Sequence, residues 1–252
     1  LDLSVLSLTL FWLDDELERL WTSPSYTPAY RKGSTAPSRL LTDAERAEIA
    51  ARTQETAVTA EAGSQASIAS AAAVLGAFEV LAETMAVAAE ELGRIDAVAG
   101  DGDHGIGMAR GSRAAEAAAR EARDAQLGAG SVLVRAGDAW ADVAGGTSGA
   151  LWGAALRAVG DVFGDEDAVD VERVARAVSA ARDAIAARGG AKLGDKTMMD
   201  VLIPFAERVE AMVAAGTLDA AAWADAAAFA REAAEATRPL VPKIGRARPL
   251  AE

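Results

Sequence analysis

The chain has 252 residues, 51% of them hydrophobic but only 5% aromatic, and carries a formal net charge of −13. That length allows one large domain or a domain with an appendage, and the acidity excludes a general affinity for nucleic acid or anionic membrane surfaces. Cysteine is absent, which excludes a disulfide framework, a thiolate zinc site and a thiol nucleophile.

Alanine dominates many segments, as expected of closely packed helices rather than of a β sandwich, so composition reads as mostly α, and the fold class expected once the chain's motifs are added is all-α. The chain begins at Leu1, and its apolar run 5–12 lacks a basic flank and meets Asp14, Asp15 and Glu16. This argues against a signal peptide, and the start reads as the interior of a structural element. No stretch is expected to reach the length of a membrane span. Residues 4–11 alternate like a strand, with Leu6, Leu8 and Leu10 on one face and Ser7 and Thr9 on the other. A helix follows, with Asp14 and Asp15 in its first turn and Leu13, Leu17, Leu20 and Trp21 at helical spacing. Pro24, Pro28, Gly33 and Pro37 then mark a linker, and a short helix is predicted over 43–51.

From residue 64 the pattern changes. Ile68, Ala71, Leu75, Phe78, Ala82 and Met85 trace one face of a long helix ending near Gly93. Further helices are predicted over 107–124 and 131–143, through Leu151, Trp152, Leu156 and Val159, and over 169–187, 198–214 and 219–237. Trp140 and Trp152 are assigned to the core.

Three glycine-rich stretches interrupt this pattern. The first, RIDAVAGDGDHGIGMAR over 94–110, holds Asp96, Asp101, Asp103 and the single histidine, His104. Glycine permits tight folding, so the carboxylates can be aimed at one point, where they repel unless a cation intervenes. Oxygen-only ligands favour a hard divalent ion, and Mg²⁺ commonly shares its shell with water and substrate phosphate. A polar loop between helices and a Ca²⁺ loop are the competing readings, although an EF-hand would need more oxygen ligands and a later Glu. The second, GGTSG over 145–149, stands at the head of a helix. There Thr147 or Ser148 could be an ordinary cap, or the free N–H groups could hold phosphate. The third, GGAKLGDKTMMD over 189–200, also leads a helix, with Asp195 as a candidate cap and Lys196 as a solvated side chain. None contains a Walker A motif. Up-and-down helices would put two of these loops at one end of a bundle.

Taken in order, RIDAVAGDGDHGIGM, GGTSGALWG, GGAKLGDKTMMDVLIP and the terminal GRA resemble the nucleotide-binding L domain of dihydroxyacetone (glycerone) kinases, over residues 64–247. The opening run SLTLFWLDDELERLWTSPSYTPAYRKG resembles the tail of the substrate-binding K domain that precedes it in single-chain members. The resemblance implies an antiparallel eight-helix barrel or bundle over 64–252, truncated at its C-terminus. Before it stand a strand–helix remnant of an α/β K domain over 1–32 and a linker over 33–63.

By motif position, Asp96, Asp101 and Asp103 would hold two Mg²⁺ ions on the phosphates of ATP or ADP, with His104 beside those phosphates rather than merely capping or packing. Gly146, Thr147 and Ser148 would donate hydrogen bonds to phosphate. Leu151, Gly194, Thr197 and Met198 would wall the adenine and ribose, and Arg246 would approach from the C-terminal side. The activity implied is that of an ATP-dependent, cytoplasmic ketose kinase. Its acceptor is bound covalently by a K-domain histidine that this chain lacks, so no catalytic residue is assigned here and the fragment is expected to be inactive alone. The expected partners are Mg-nucleotide and a K domain, in the same chain or in a partner subunit, with homodimerisation left open and neither nucleic acid nor membrane. Three other readings compete: an ADP-retaining L subunit of a phosphotransferase-system enzyme, a non-catalytic regulatory module, and a fatty-acid-kinase relative, in which a threonine would usually stand where His104 does.

Overall fold

The computed structural model describes residues 12–24, 26–27, 30–31, 42–44 and 62–248. The chain divides into two compact units, Asp2–Thr59 and one formed chiefly by Ala60–Glu252. The predicted strand over 4–11 and nearly all of the predicted helix over 43–51 lie outside the described residues.

In the first unit, helix α1 (Asp15–Thr22) starts where Asp14 accepts a hydrogen bond from the Leu17 N–H at 2.8 Å. Such a cap satisfies one of the free donors of the first turn. None of the α1 residues is buried, and Leu17, Leu20 and Trp21 are exposed. Within the 1–32 stretch expected to be a K-domain remnant, where Pro24 and Pro28 suggested the approach to a linker, lies a small antiparallel ladder, β1 (Tyr26–Thr27) with β2 (Tyr30–Arg31), in which Tyr26 pairs with Arg31 and Thr27 with Tyr30.

The second unit is all-helical among the described residues, as expected. Its helices are α2 (Gln65–Asp96), α3 (His104–Asp124), α4 (Ala129–Ala144), α5 (Gly146–Phe163), α6 (Val171–Gly189), α7 (Met199–Ala214) and α8 (Ala220–Ala236). Each packs on the next in sequence, α2 also touches α4, and α8 has no close backbone contact with α2. The connections are short, which makes neighbours antiparallel.

Glycine positions confirm the direction of the packing. A Cβ on Gly130 or on Gly160 would stand 2.7 Å from the other's carbonyl oxygen, and Gly137 and Gly153 meet in the same way at 2.8 and 2.7 Å. An early residue of α4 thus faces a late residue of α5, and the backbones meet where no side chain fits.

The main core gathers Leu75, Phe78, Met108, Val132, Leu133 and Trp140 around alanines of α2, α3 and α4. Removing such a side chain from water stabilises the fold by about 1.5–3 kcal/mol each. Two smaller clusters continue it, Ala155, Ile185 and Met199 across α5, α6 and α7, and Ala175, Val209 and Ala226 across α6, α7 and α8. At the end away from the glycine loops, buried Ser67 donates to the Gly164 carbonyl at 3.2 Å and accepts from the Ala129 N–H at 2.9 Å, so the starts of α2 and α4 and the end of α5 are tied together.

Contrary to the expectation from sequence, one stretch does reach the length of a membrane span. Helix α2 is long and apolar enough to cross a membrane by length and composition, with mean hydropathy 1.6 over its best window. The sequence reading missed this because glycine and scattered charges divide the run. Its Ala71, Leu75, Phe78 and Ala82 are buried in the bundle, and a core helix passes the same test.

Candidate nucleotide and metal site

Up-and-down packing brings the α2–α3 loop, the α4–α5 turn and the α6–α7 loop to one end of the second unit, one more loop than the sequence reading placed there. The segment after α8 arrives at the same end, because α8 runs in the same direction as α2.

The carboxylates come from three kinds of position. Asp96 is the last residue of α2, Asp101 lies in the loop, and Asp103 is the residue before α3. One oxygen from each lies within 4.8 Å of the others. Asp96 is pre-ordered, since its Oδ2 accepts from the Gly102 N–H at 2.8 Å while its carbonyl accepts from the Gly100 N–H at 2.6 Å. A Cβ on Gly100 would stand 2.5 Å from the Asp96 carboxylate, and Gly102 takes φ +81°. These two glycines serve the loop, as expected. Gly105 and Gly107 do not, because α3 begins at His104 rather than near Gly107. A Cβ on Gly105 would come within 1.8 Å of the Ala89 carbonyl oxygen, so this glycine lets α3 press on α2.

Arg246 donates to Asp101 Oδ1 at 2.7 Å, across 145 residues of sequence. This hydrogen bond is the main cause holding the Asp101 carboxyl below the usual aspartate range, and its own backbone N–H adds to the effect. The Arg246 guanidinium is raised in turn, first by Asp101 and more weakly by Asp96 and Asp103. Both side chains of the pair remain mostly exposed, so solvent screens it. Half-buried His104 has no hydrogen-bond partner among the described residues, and stands beside the triad at the start of α3. The triad fits a hard divalent cation: converging oxygen donors, one pre-oriented, with no sulfur.

The turn into α5 differs from an ordinary cap. Gly145 occupies the cap position at φ +68° and no side chain caps the helix. Gly146, Thr147 and Ser148 form the first turn instead, leaving their N–H groups without a helical partner. The hydroxyls therefore do not serve as the cap that their residue types allowed.

In the α6–α7 loop, Gly194 takes φ +86°. Asp195 does not cap α7; its Oδ2 accepts from the Lys192 N–H at 2.8 Å within the loop. The Thr197 hydroxyl accepts from the Met199 N–H at 3.1 Å, and the buried Asp200 accepts from the Gly194 N–H at 2.5 Å and the Thr197 N–H at 2.8 Å. Sequence reading passed over Asp200. A carboxylate in the first turn of a helix after a glycine loop was the available signal. Leu151 and Met198 meet in one cluster with Ile185 and Met199 beneath the loop. A cleft of about 390 Å³ opens beside it between α7 and α8, lined by Asp200, Pro204, Phe229 and Leu240 among others, and it includes none of the triad.

A family model, the DAK2 domain, matches residues 98–252, and the chain belongs to this family. Among curated proteins, it is 52% identical over 249 residues to the L-erythrulose kinase of Pectobacterium atrosepticum, covering 98% of this chain and 41% of that protein. It is 51% identical over 253 residues to the D-erythrulose kinase of Mycolicibacterium smegmatis, covering 100% and 43%. The chain thus spans less than half the length of these relatives. The ADP-binding subunit DhaL of a PEP-dependent dihydroxyacetone kinase from Listeria innocua is 36% identical over 113 residues, covering 45% of this chain and 56% of that subunit. Among solved structures, the native dihydroxyacetone kinase of C. freundii matches with TM-score 0.51 at 22% identity, over 95% of this chain and 40% of that one, which is a likeness of fold.

Proposed function

We propose that the second unit is the phosphoryl-donor domain of a ketose kinase, binding Mg-ATP or Mg-ADP at the loop-bearing end. The observation that carries this reading is the convergence of the Asp96–Asp101–Asp103 triad with Arg246, brought together from opposite ends of the unit. Asp96, Asp101 and Asp103 would hold the divalent ions, two in the fullest form of this reading. Bound Mg²⁺ would neutralise phosphate charge during transfer, the main demand of a loose phosphoryl transition state. The uncapped N–H groups of Gly146, Thr147 and Ser148 point to phosphate, since a helix N-terminus favours anions. His104 would contact the phosphates, Arg246 would reach them from the C-terminal segment, and Leu151, Gly194, Thr197 and Met198 would wall the base and ribose.

The names of the relatives favour erythrulose over dihydroxyacetone as acceptor. The γ-phosphoryl group would pass to an acceptor hydroxyl, whose proton goes to a base on a K domain, for which residues 1–32 would be the tail and 33–63 the linker. A cytoplasmic location fits an ATP-dependent reaction. The PEP-dependent arrangement, with ADP retained, is the second reading, supported by the match to an ADP-binding subunit over part of the chain.

Calorimetry with ADP, with and without Mg²⁺, tests the assignment. Asp103→Asn is expected to abolish Mg-dependent binding while the helical circular dichroism persists; unchanged binding would remove the triad from the site.

A further inference from the structure

Lys196 takes φ +60°, a left-handed backbone uncommon for a residue with a side chain. Such strain persists only where the surroundings determine it. Here the side chain is engaged rather than solvated. Its ammonium donates to the Arg238 carbonyl at 3.1 Å and the Leu240 carbonyl at 2.9 Å, just beyond the end of α8. The preceding residue continues the clasp, since the Asp195 carbonyl accepts from the Lys243 N–H at 3.2 Å and its carboxylate faces the Lys243 ammonium at 3.5 Å. A turn at Gly245, φ +74°, then delivers Arg246 to Asp101. The α6–α7 loop and the carboxylate triad are thereby joined through one short segment.

We propose that Lys196 is a positioning residue that docks this segment so that Arg246 acts as an internal counter-cation of the triad, competing with the divalent ion for Asp101. The inference rests on the reading of the triad as a cation site. Carboxylates this close repel one another, and a guanidinium at Asp101 relieves the repulsion in the protein without nucleotide. An incoming divalent ion must displace it. Loss of Arg246, or of the clasp that brings it, therefore strengthens cation binding, whereas loss of a residue that only holds the fold weakens it.

Mn²⁺ accepts the same oxygen ligands, and its free ion is counted by electron paramagnetic resonance. The whole chain is titrated without nucleotide, as wild type and as Arg246→Met, Lys196→Met, Lys196→Gly, the Arg246→Met/Lys196→Met double variant and Asp103→Asn, with thermal unfolding followed in parallel. Because the ion pair is exposed, Arg246→Met and Lys196→Met should each lower the Kd roughly twofold to fivefold. The double variant should go no further than Arg246→Met. Lys196→Gly, which relieves the backbone strain but removes the amine, should give the same shift. A Kd unchanged or raised by Lys196→Met and Lys196→Gly overturns the clasp, and one unchanged by Arg246→Met overturns the counter-cation. If no binding is sensitive to Asp103→Asn, the reading of the triad fails and the inference falls with it.

Discussion

Asp200 shows how one buried carboxylate can shape a loop that it does not belong to. It is 8% exposed and accepts from two backbone N–H groups, those of Gly194 and Thr197, at either end of the turn leading into α7. Hydrogen bonds to a charged acceptor are worth about 1.5–3 kcal/mol each, and a donor left unsatisfied adds a further cost. Asp200→Ala should therefore destabilise the unit by about 2 kcal/mol or more and accelerate hydrogen exchange at the Gly194 and Thr197 amides. Asp200→Asn keeps one acceptor oxygen and should fall between. Slow exchange at both amides in the alanine variant would mean that the loop is held by something else. The residue stood in plain view in the motif, but its partners lie up to six positions upstream, and loop–helix pairings of that kind do not appear in a periodic pattern.

Among the elements, the start of α5 separates two roles that residue type alone could not. Thr147 and Ser148 are both preferred cap residues, yet Gly145 sits at the cap with φ +68° and the hydroxyls lie inside the first turn. Replacing a true cap costs about 1 kcal/mol. Thr147→Ala and Ser148→Ala should each change thermal stability by less than about 0.5 kcal/mol, the usual range for surface positions away from such features. Their effect should appear instead as weaker Mg-ADP binding in calorimetry. A full cap penalty with unaltered binding would reverse the assignment. Helices α2 and α3 give a related lesson, since Gly105 looked like loop glycine and instead marks where α3 meets the α2 backbone. Helix boundaries were otherwise legible to within a few residues, because apolar spacing persists through each helix and stops at the glycines.

For the molecule as a whole, the expected division of labour is between donor and acceptor. The chain spans 41–43% of the erythrulose kinases it matches, and on the proposed reading its loop-bearing end supplies the phosphoryl donor while a K domain supplies the acceptor site. Incubated with Mg-ATP and erythrulose, the 252-residue chain should release no more ADP than it does without the ketose. Adding a K domain should restore turnover, measured by a coupled ADP assay. Turnover by the chain alone would show that the acceptor site is already present.

Composition and helical spacing were enough to determine an all-α unit and its order of helices, because burial of an apolar face repeats every three to four residues and is written locally. The Asp96, Asp101 and Asp103 cluster was legible for the same reason, lying within eight residues of chain. Tertiary structure alone decided that Arg246 would meet Asp101, that Lys196 would close on the segment after α8, and that glycines of α4 and α5 would face one another. These are pairings of groups far apart in sequence, created by helix direction and close backbone approach, and no local pattern carries them.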